Sequence, residues 1–169
     1  MKEIFIRRSV RTYDNRPVEQ EKIIQMLKAG MQAPSARNQQ PWSFLVLQDK
    51  EKLNKLSEAT PHARMCKDAG GVICLLIDTT KNLASHMWAQ DMSACMQNIL
   101  LEATHLGLGA VWIGVYPNED RMNNLRNILN IPDRYLPFAL CSFGYPKDEN
   151  ANHFVDRFDP NRIFFEEVK

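Results

Sequence analysis

The chain has 169 residues, and its 21 Lys and Arg against 20 Asp and Glu leave a formal net charge of +1. This length fits one domain, and 44% hydrophobic with 24% charged residues excludes a disordered or fibrous chain. The balanced charge argues against bulk electrostatic binding to nucleic acid, so a bound anion would need a local cluster of basic residues.

The sequence shows no sign of a membrane span, a signal peptide or a metal-binding motif. Its longest apolar run covers residues 72–77, far below the roughly 20 residues of a spanning helix. The four cysteines form no C-x-x-C pair, and the four histidines form no H-x-x-x-H or H-E-x-x-H motif. We therefore expect a soluble cytoplasmic protein with reduced cysteines and no metal ion, and with neither a membrane nor a nucleic acid as partner.

The first half of the chain predicts two helices and two strands. After Pro17, apolar residues that recur at helical spacing indicate a helix: Ile23, Ile24, Leu27 and Met31. Residues 42–47 are typical of a buried strand, and Asp49 can cap a short helix after it. Residues 72–77 form a short, wholly apolar run, which predicts a strand buried on both faces.

The second half predicts a long helix, two more strands, a further helix and a tail. Residues 83–106 contain no Gly or Pro, so we expect one central helix that ends at Gly107. Residues 110–115 predict a strand, after which Asn118 can cap a helix that Pro132 terminates. The remaining segments are a predicted strand at 136–143 and a charged tail at 147–169 that contains the apolar group 163–165.

Residues 7–11, which read R-R-S-V-R, are the first of three segments that could carry chemistry. Each guanidinium group offers a planar fork of donors and the serine adds a hydroxyl, so the segment can surround a phosphate. The same string is also typical of a solvated basic helix end, a kinase site or a nucleic-acid arm.

The other two segments are a polar loop and a stretch with three glycines. Residues 34–41, P-S-A-R-N-Q-Q-P, hold amides whose donors and acceptors match a heterocycle, although they also suit an ordinary polar turn. Residues 107–114, G-L-G-A-V-W-I-G, allow the backbone to approach a flat ligand. These glycines precede the predicted strand, so they form no dinucleotide fingerprint. A helix end followed by a core strand also explains Gly107, but it explains Gly114 less well.

Five segments in register, over nearly the whole chain, resemble the FMN-dependent nitroreductase family. They are residues 7–11, 34–42, the helical segment 90–101, residues 107–117 and the closing R-F-D-P-N-R of 157–162. The resemblance implies an α+β nitroreductase-like fold in which helices flank a mixed, mostly antiparallel sheet. It also implies an intertwined homodimer of single-domain chains (1–169), with FMN at the dimer interface and the 147–169 tail packed on the partner subunit.

The resemblance also implies which residues contact the cofactor. The positions that match the phosphate and ribityl site are Arg7, Arg8, Ser9 and Arg11, joined at the phosphate by Arg162 from the tail. The positions that match the segment laid along the flavin by the partner subunit are Pro34, Ser35, Ala36 and Asn38. The positions that match the backbone near flavin N5 are Ile113 and Gly114.

The activity implied by the resemblance is electron transfer from NADH or NADPH to a small acceptor, such as a nitroaromatic compound or a quinone, by a ping-pong mechanism. FMN carries the redox chemistry, so we expect no catalytic nucleophile or acid–base side chain. Reduction places negative charge near N1 and O2 of the flavin, and we expect Arg11 to stabilise it. The alternatives are a flavin-binding module without turnover and a specialised superfamily member, either a dehalogenase or an enzyme that fragments FMN.

Overall fold

A computed structural model describes residues 1–168, which form helices around one four-stranded sheet. The helices are α1 (Glu3–Ile6), α2 (Gln20–Met31), α3 (Lys50–Glu58), α4 (Trp88–His105) and α5 (Glu119–Leu129). The strands are β1 (Trp42–Leu47), β2 (Gly71–Asp78), β3 (Gly109–Gly114) and β4 (Tyr135–Gly144). Short 3₁₀ turns occur at Ala36–Asn38, Arg64–Asp68, Ser85–Met87 and Pro160–Arg162.

The sheet has the strand order β1-β2-β4-β3, and every neighbouring pair is antiparallel. The predicted α+β class and mostly antiparallel sheet are therefore confirmed. The parallel component is a single bridge between Ala110 of β3 and Ser9, which lies outside the four strands. This bridge lays the N-terminal arginine segment along β3, which is an edge strand.

Strand β2 is buried on both faces, as its apolar run predicts. Side chains alternate across a strand, so neighbouring residues of β2 enter different cores. Ile73 and Leu75 pack with residues of α2 and α4 on one side. Val72 and Cys74 pack with residues of α3 and α5 on the other side. The sheet is thus covered by helices on both faces.

Two predicted helix caps are confirmed. The Asp49 carboxylate accepts a hydrogen bond from the backbone N–H of Lys52 at 3.0 Å, at the start of α3. The Asn118 side-chain oxygen accepts one from the backbone N–H of Arg121 at 2.9 Å, at the start of α5. Each cap satisfies a backbone donor that has no partner inside its helix.

The start of the central helix differs from the prediction. Helix α4 begins at Trp88, whereas the absence of Gly and Pro predicted a start near residue 83. The reason is tertiary: the side-chain amide of Gln39 bonds both the N–H and the C=O of Ala84, at 2.9 and 3.0 Å. Ala84 is held at φ −150° and ψ 64°, which is not helical. The other end is as predicted, since Gly107 follows the helix at φ 76°.

The buried face of α2 also differs from the predicted one. Ile23 is buried as expected, and Met26 joins it in the core. Ile24 and Met31, which the spacing placed on the same face, are exposed in this chain. They lie seven residues apart, so they share an edge of the helix beside the buried stripe.

All four cysteines are buried, and none is bonded to another. Burial raises the pKa of each thiol to about 12: Cys66, Cys74, Cys95 and Cys141. They therefore serve as small apolar core residues, as expected. Within residues 1–168 no helix combines the length and apolar character needed to cross a bilayer. In the same residues, no group of three His, Cys, Asp or Glu is placed to hold a metal ion.

Candidate functional site

The arginine segment 7–11 is fixed against the sheet by its central residues. The backbone N–H of Val10 donates to the carbonyl of Ala110 at 3.1 Å, and the Val10 side chain is buried. The buried hydroxyl of Tyr13 lies 2.8 Å from the Val10 carbonyl and 3.1 Å from that of Ser142 in β4. The backbone of the segment is therefore held in place by contacts that do not use the arginine side chains.

Arg7, Arg8 and Arg157 line one cavity of about 380 Å³, together with aromatic residues of the tail and one carboxylate, that of Asp156. Arg8 donates to the carbonyls of Arg7 and Phe5 at 2.6 and 3.0 Å, and its buried Nε has no hydrogen-bond partner in residues 1–168. Burial lowers the pKa of Arg7, and the positive charges of Arg8 and Arg157 lower it further. Across the described residues, no carboxylate forms a salt bridge with these three arginines. Such a concentration of positive charge favours an anion.

Asn152 joins this cluster to the sheet. Its side-chain oxygen accepts from the backbone N–H of Arg8 at 3.0 Å, and its amide donates to the carbonyl of Leu108 at 3.0 Å. The start of the tail is thereby held next to the arginine segment and the beginning of β3. Arg162, further along the tail, pairs with Asp159 at 3.0 Å and does not belong to the described lining of the cavity. Its contact with a phosphate stays a prediction.

A second cavity of about 380 Å³ lies along the C-terminal part of β3. The described residues that line it are Arg11, Pro61, His62, Met65, Val111, Trp112, Ile113 and Gly114. It therefore brings together Arg11, Ile113 and Gly114, three residues that the resemblance assigns to the cofactor. A Cβ atom on Gly114 would have no heavy atom within 4 Å, so the backbone there is open to a ligand.

The sequence interpretation missed Arg157, His62 and Trp112, which line the two cavities. Arg157 begins the same closing motif as Arg162, so the motif itself is a signal for it. Trp112 lies inside the 107–114 segment, and its ring centroid is 5.9 Å from that of Phe138. His62 follows a proline in an exposed turn and carries no sequence signal of its own. Only the folded chain places it opposite β3.

The loop 34–41 lines neither cavity as the described residues form them, and the same is true of Ser9 and Arg162. Two of its predicted contact residues are bonded inside the loop. The Ser35 hydroxyl accepts from the backbone N–H of Gln40 at 3.0 Å, and the Asn38 side-chain oxygen accepts from the Gln40 amide at 3.2 Å. The loop is thus ordered by its own hydrogen bonds. The cofactor contacts of Pro34, Ser35, Ala36 and Asn38 stay predictions.

Comparison with known proteins adds an independent observation. A family model described as the Nitroreductase family matches residues 4–65 and 61–145. A protein of Archaeoglobus fulgidus, named provisionally as an NADH dehydrogenase/NAD(P)H nitroreductase, is 47% identical over 165 residues. This match covers 96% of the chain and 95% of the relative, so the two proteins correspond over nearly their full lengths.

Solved structures match equally completely. A Clostridium acetobutylicum protein, named provisionally as an NADH oxidase, is 49% identical with a TM-score of 0.94, over 98% of this chain and 99% of its own. An FMN-dependent nitroreductase of Clostridium difficile is 32% identical with a TM-score of 0.87, over 96% of both chains. The fold described above is therefore shared from end to end with these proteins.

Proposed function

The chain belongs to the nitroreductase family and is an oxidoreductase, and we propose that it uses FMN to pass electrons from NADH or NADPH to small acceptors. The acceptor class that we propose is nitroaromatic compounds or quinones, reduced in a ping-pong mechanism. When bound, FMN supplies the capacity to accept a hydride and to pass its electrons on. The protein's own residues bind and orient the reactants and provide the local charge.

The observation that carries the proposal is the cluster of Arg7, Arg8 and Arg157 around one cavity. The three guanidinium groups repel one another, and Asp156, which lines the same cavity, forms no salt bridge with them in residues 1–168. A phosphate dianion would offset that repulsion and accept charge-assisted hydrogen bonds from the cluster. The buried Nε of Arg8 is in addition a donor that still lacks an acceptor. The residues at this end of the site therefore fit a phosphate group.

The second cavity fits the flat part of the same molecule. Arg7 lines one cavity and Arg11 the other, and four residues of extended backbone span at most about 14 Å. A ligand with an anionic end, a flexible middle and a flat end suits such a pair of cavities. The open backbone at Gly114 permits close approach of a ring, and Arg11 would stabilise negative charge that develops on it.

The proposed cofactor contacts are the positions that the resemblance assigns, with Arg157 added. Within one chain they are Arg7, Arg8, Ser9, Arg11, Ile113, Gly114 and Arg162. We propose that Pro34, Ser35, Ala36 and Asn38 act across the interface of a homodimer. Their loop lines neither cavity of its own chain, which supports a contact with the second copy.

The tail supports the same dimer. Phe154, Phe158 and Phe165 are 61%, 74% and 87% exposed in this chain. Burying one such side chain stabilises a protein by about 1.5–3 kcal/mol, so a second copy would gain by covering them. We propose that residues 1–169 form one domain whose 147–169 tail lies on the partner subunit. Lys169 lies outside the described residues.

A binding experiment tests the cofactor. The purified protein should show the visible absorption of a flavin, and mass spectrometry should identify the released cofactor as FMN. Hydrogen bonds to charged groups contribute about 1.5–3 kcal/mol each, so Arg7→Ala should weaken FMN binding about 10- to 100-fold. Arg16→Ala is the matched control, because Arg16 pairs with Asp14 on the exposed surface. A protein that binds no added FMN would refute the proposal.

A kinetic experiment tests the mechanism and the acceptor class. Steady-state rates with varied NADH and varied quinone or nitroaromatic compound should give parallel double-reciprocal lines. Intersecting lines would contradict the ping-pong mechanism. If neither acceptor class stimulates the consumption of NADH or NADPH, the result would instead support a flavin-binding module without turnover or a specialised superfamily member.

A further inference from the structure

A buried carboxylate, Asp91, lies beneath the 34–41 loop and has no place in the function proposed above. It belongs to the first turn of α4 and is 4% exposed. Its Oδ1 accepts from the backbone N–H of Ala36 at 2.9 Å, and its Oδ2 accepts from Nε2 of Gln39 at 2.6 Å. In residues 1–168 no cation forms a salt bridge with it. Both oxygens of Asp91 are therefore engaged by the loop.

Gln39 completes the same network. It is 4% exposed, whereas its neighbours Asn38 and Gln40 are exposed. Besides Asp91, its amide donates to the Ala84 carbonyl at 3.0 Å, and its oxygen accepts from the Ala84 N–H at 2.9 Å. Every polar atom of the side chain has a partner. The Asp91–Gln39 pair thus connects the loop, the segment before α4 and α4 itself.

The backbone around this pair is strained. Arg37, Asn38 and Gln40 have φ angles of 52°, 51° and 46°, in the left-handed region that non-glycine residues disfavour. Such a conformation persists only where surrounding contacts determine it. The hydrogen bonds inside the loop supply part of these contacts. The bonds of Asp91 to Ala36 and Gln39 add contacts from outside the loop, on both sides of Arg37.

We propose that Asp91 and Gln39 are positioning residues, which hold Ser35 and Asn38 in the conformation that contacts the cofactor. The inference rests on the proposed function, in which Ser35 and Asn38 meet FMN. It adds that this contact depends on a buried carboxylate in a helix that belongs to neither cavity. Asp91 acts through the loop and does not touch the reacting atoms.

Two variants of the full-length protein test the inference. Asp91→Asn turns an amide NH₂ toward one of two N–H donors, so one of the two hydrogen bonds is lost. Gln39→Leu removes the hydrogen bonds to Asp91 and Ala84 and keeps a side chain of similar size. Each should raise the dissociation constant of FMN about tenfold, measured by flavin fluorescence well below the unfolding temperature. Amide hydrogen exchange in residues 34–41 should accelerate by a similar factor.

The control separates positioning from general stability. Leu53→Ala opens a cavity in the core on the other side of the sheet, so it lowers the unfolding temperature without touching the loop. It should leave both FMN affinity and exchange in residues 34–41 unchanged. The double variant of Asp91 and Gln39 should lose little more affinity than the weaker-binding single variant, because the two residues act through one network.

The outcomes are distinct. If both single variants bind FMN as tightly as Leu53→Ala does, or if exchange in residues 34–41 is unchanged, the inference is overturned. If Asp91→Asn does not fold, the measurements on Gln39→Leu decide whether the inference holds. A wild-type protein that binds no FMN would overturn the proposed function, while the exchange rates would still decide whether Asp91 and Gln39 hold the loop.

Discussion

The two ends of strand β3 both carry a glycine, but for opposite reasons. At Gly109 a Cβ atom would lie 2.5 Å from Cγ1 and 2.6 Å from Cβ of Val10, so the neighbouring segment closes this end. At Gly114 a Cβ atom would meet nothing within 4 Å. The first glycine is required by packing inside the chain. The second glycine leaves space next to Arg11 in the cavity proposed for the flavin. We therefore expect Gly114 to matter for ligand binding and not for packing inside the chain.

Replacement of Gly109 is the most severe test of the closed end. Gly109→Ala should lower the free energy of unfolding by about 3 kcal/mol, because the new methyl group would displace the segment that carries Val10. Urea denaturation gives this value directly. Gly114→Ala is the matched control, and its stability should stay within about 0.5 kcal/mol of the wild type. An equal loss of unfolding free energy in the two variants would contradict the distinction between the two ends of β3.

The second prediction concerns Tyr13, which holds Val10 in place at the closed end. Tyr13→Phe should destabilise the protein by about 1.5 kcal/mol, because the buried carbonyls of Val10 and Ser142 lose their shared partner. Thermal and urea unfolding measure the effect. Tyr135→Phe provides a control in a partly buried tyrosine of β4, and it should cost less.

The same tyrosine predicts a loss of stability at alkaline pH. Burial raises the pKa of Tyr13 above its ordinary value of about 10. A raised pKa in the folded state stabilises the protein fully below about pH 10, and this contribution is lost as the pH rises further, because the unfolded chain releases the proton first. Tyr13→Phe should reduce the decline in stability above pH 10. An unchanged alkaline slope would show that Tyr13 does not cause it.

The third prediction concerns the open end. Gly114→Ala should weaken FMN binding about tenfold, which corresponds to about 1.4 kcal/mol, because its methyl group enters the space proposed for the ring. Fluorescence titration measures the affinity. Unchanged affinity together with unchanged stability would remove Gly114 from the proposed site.

The smallest expected effect lies at the start of the N-terminal segment, where Glu3 contacts His105 at 3.1 Å. A backbone hydrogen bond, followed by the bond to His105, lowers the pKa of Glu3 from 4.5 to about 2. A lowered pKa stabilises the folded state above about pH 4.5, and this contribution is lost as the pH falls toward 2. Glu3→Gln should therefore show a slightly smaller decline in unfolding temperature between pH 4.5 and 2. A steeper decline would contradict this assignment.

Local patterns explain why much of the fold could be predicted. The caps at Asp49 and Asn118 and the buried strand β2 depend on residues close together in sequence. The start of α4 could not be predicted, because Gln39, 45 residues away, fixes the backbone of Ala84. The exposure of Ile24 likewise depends on how α2 packs against α4.

The candidate site divides in the same way. Arg7, Arg8 and Arg11 are recognisable in one short string, and the structure distributes them between two cavities. His62 joins the second cavity only because the turn after α3 lies next to β3 in the folded chain. In the sequence, Asp91 is one polar residue of a predicted helix. Its hydrogen bonds to the loop form only in the folded chain.

The sequence by itself determined the class of fold, most of its elements, the family and the arginine string, because these depend on spacing and on side-chain chemistry along the chain. Tertiary structure decided which glycine is enclosed and which is open, where α4 begins, and which arginines share a cavity. The physical reason is that these features depend on atoms far apart in sequence, whose approach is set by packing and by the need to pair every buried polar group.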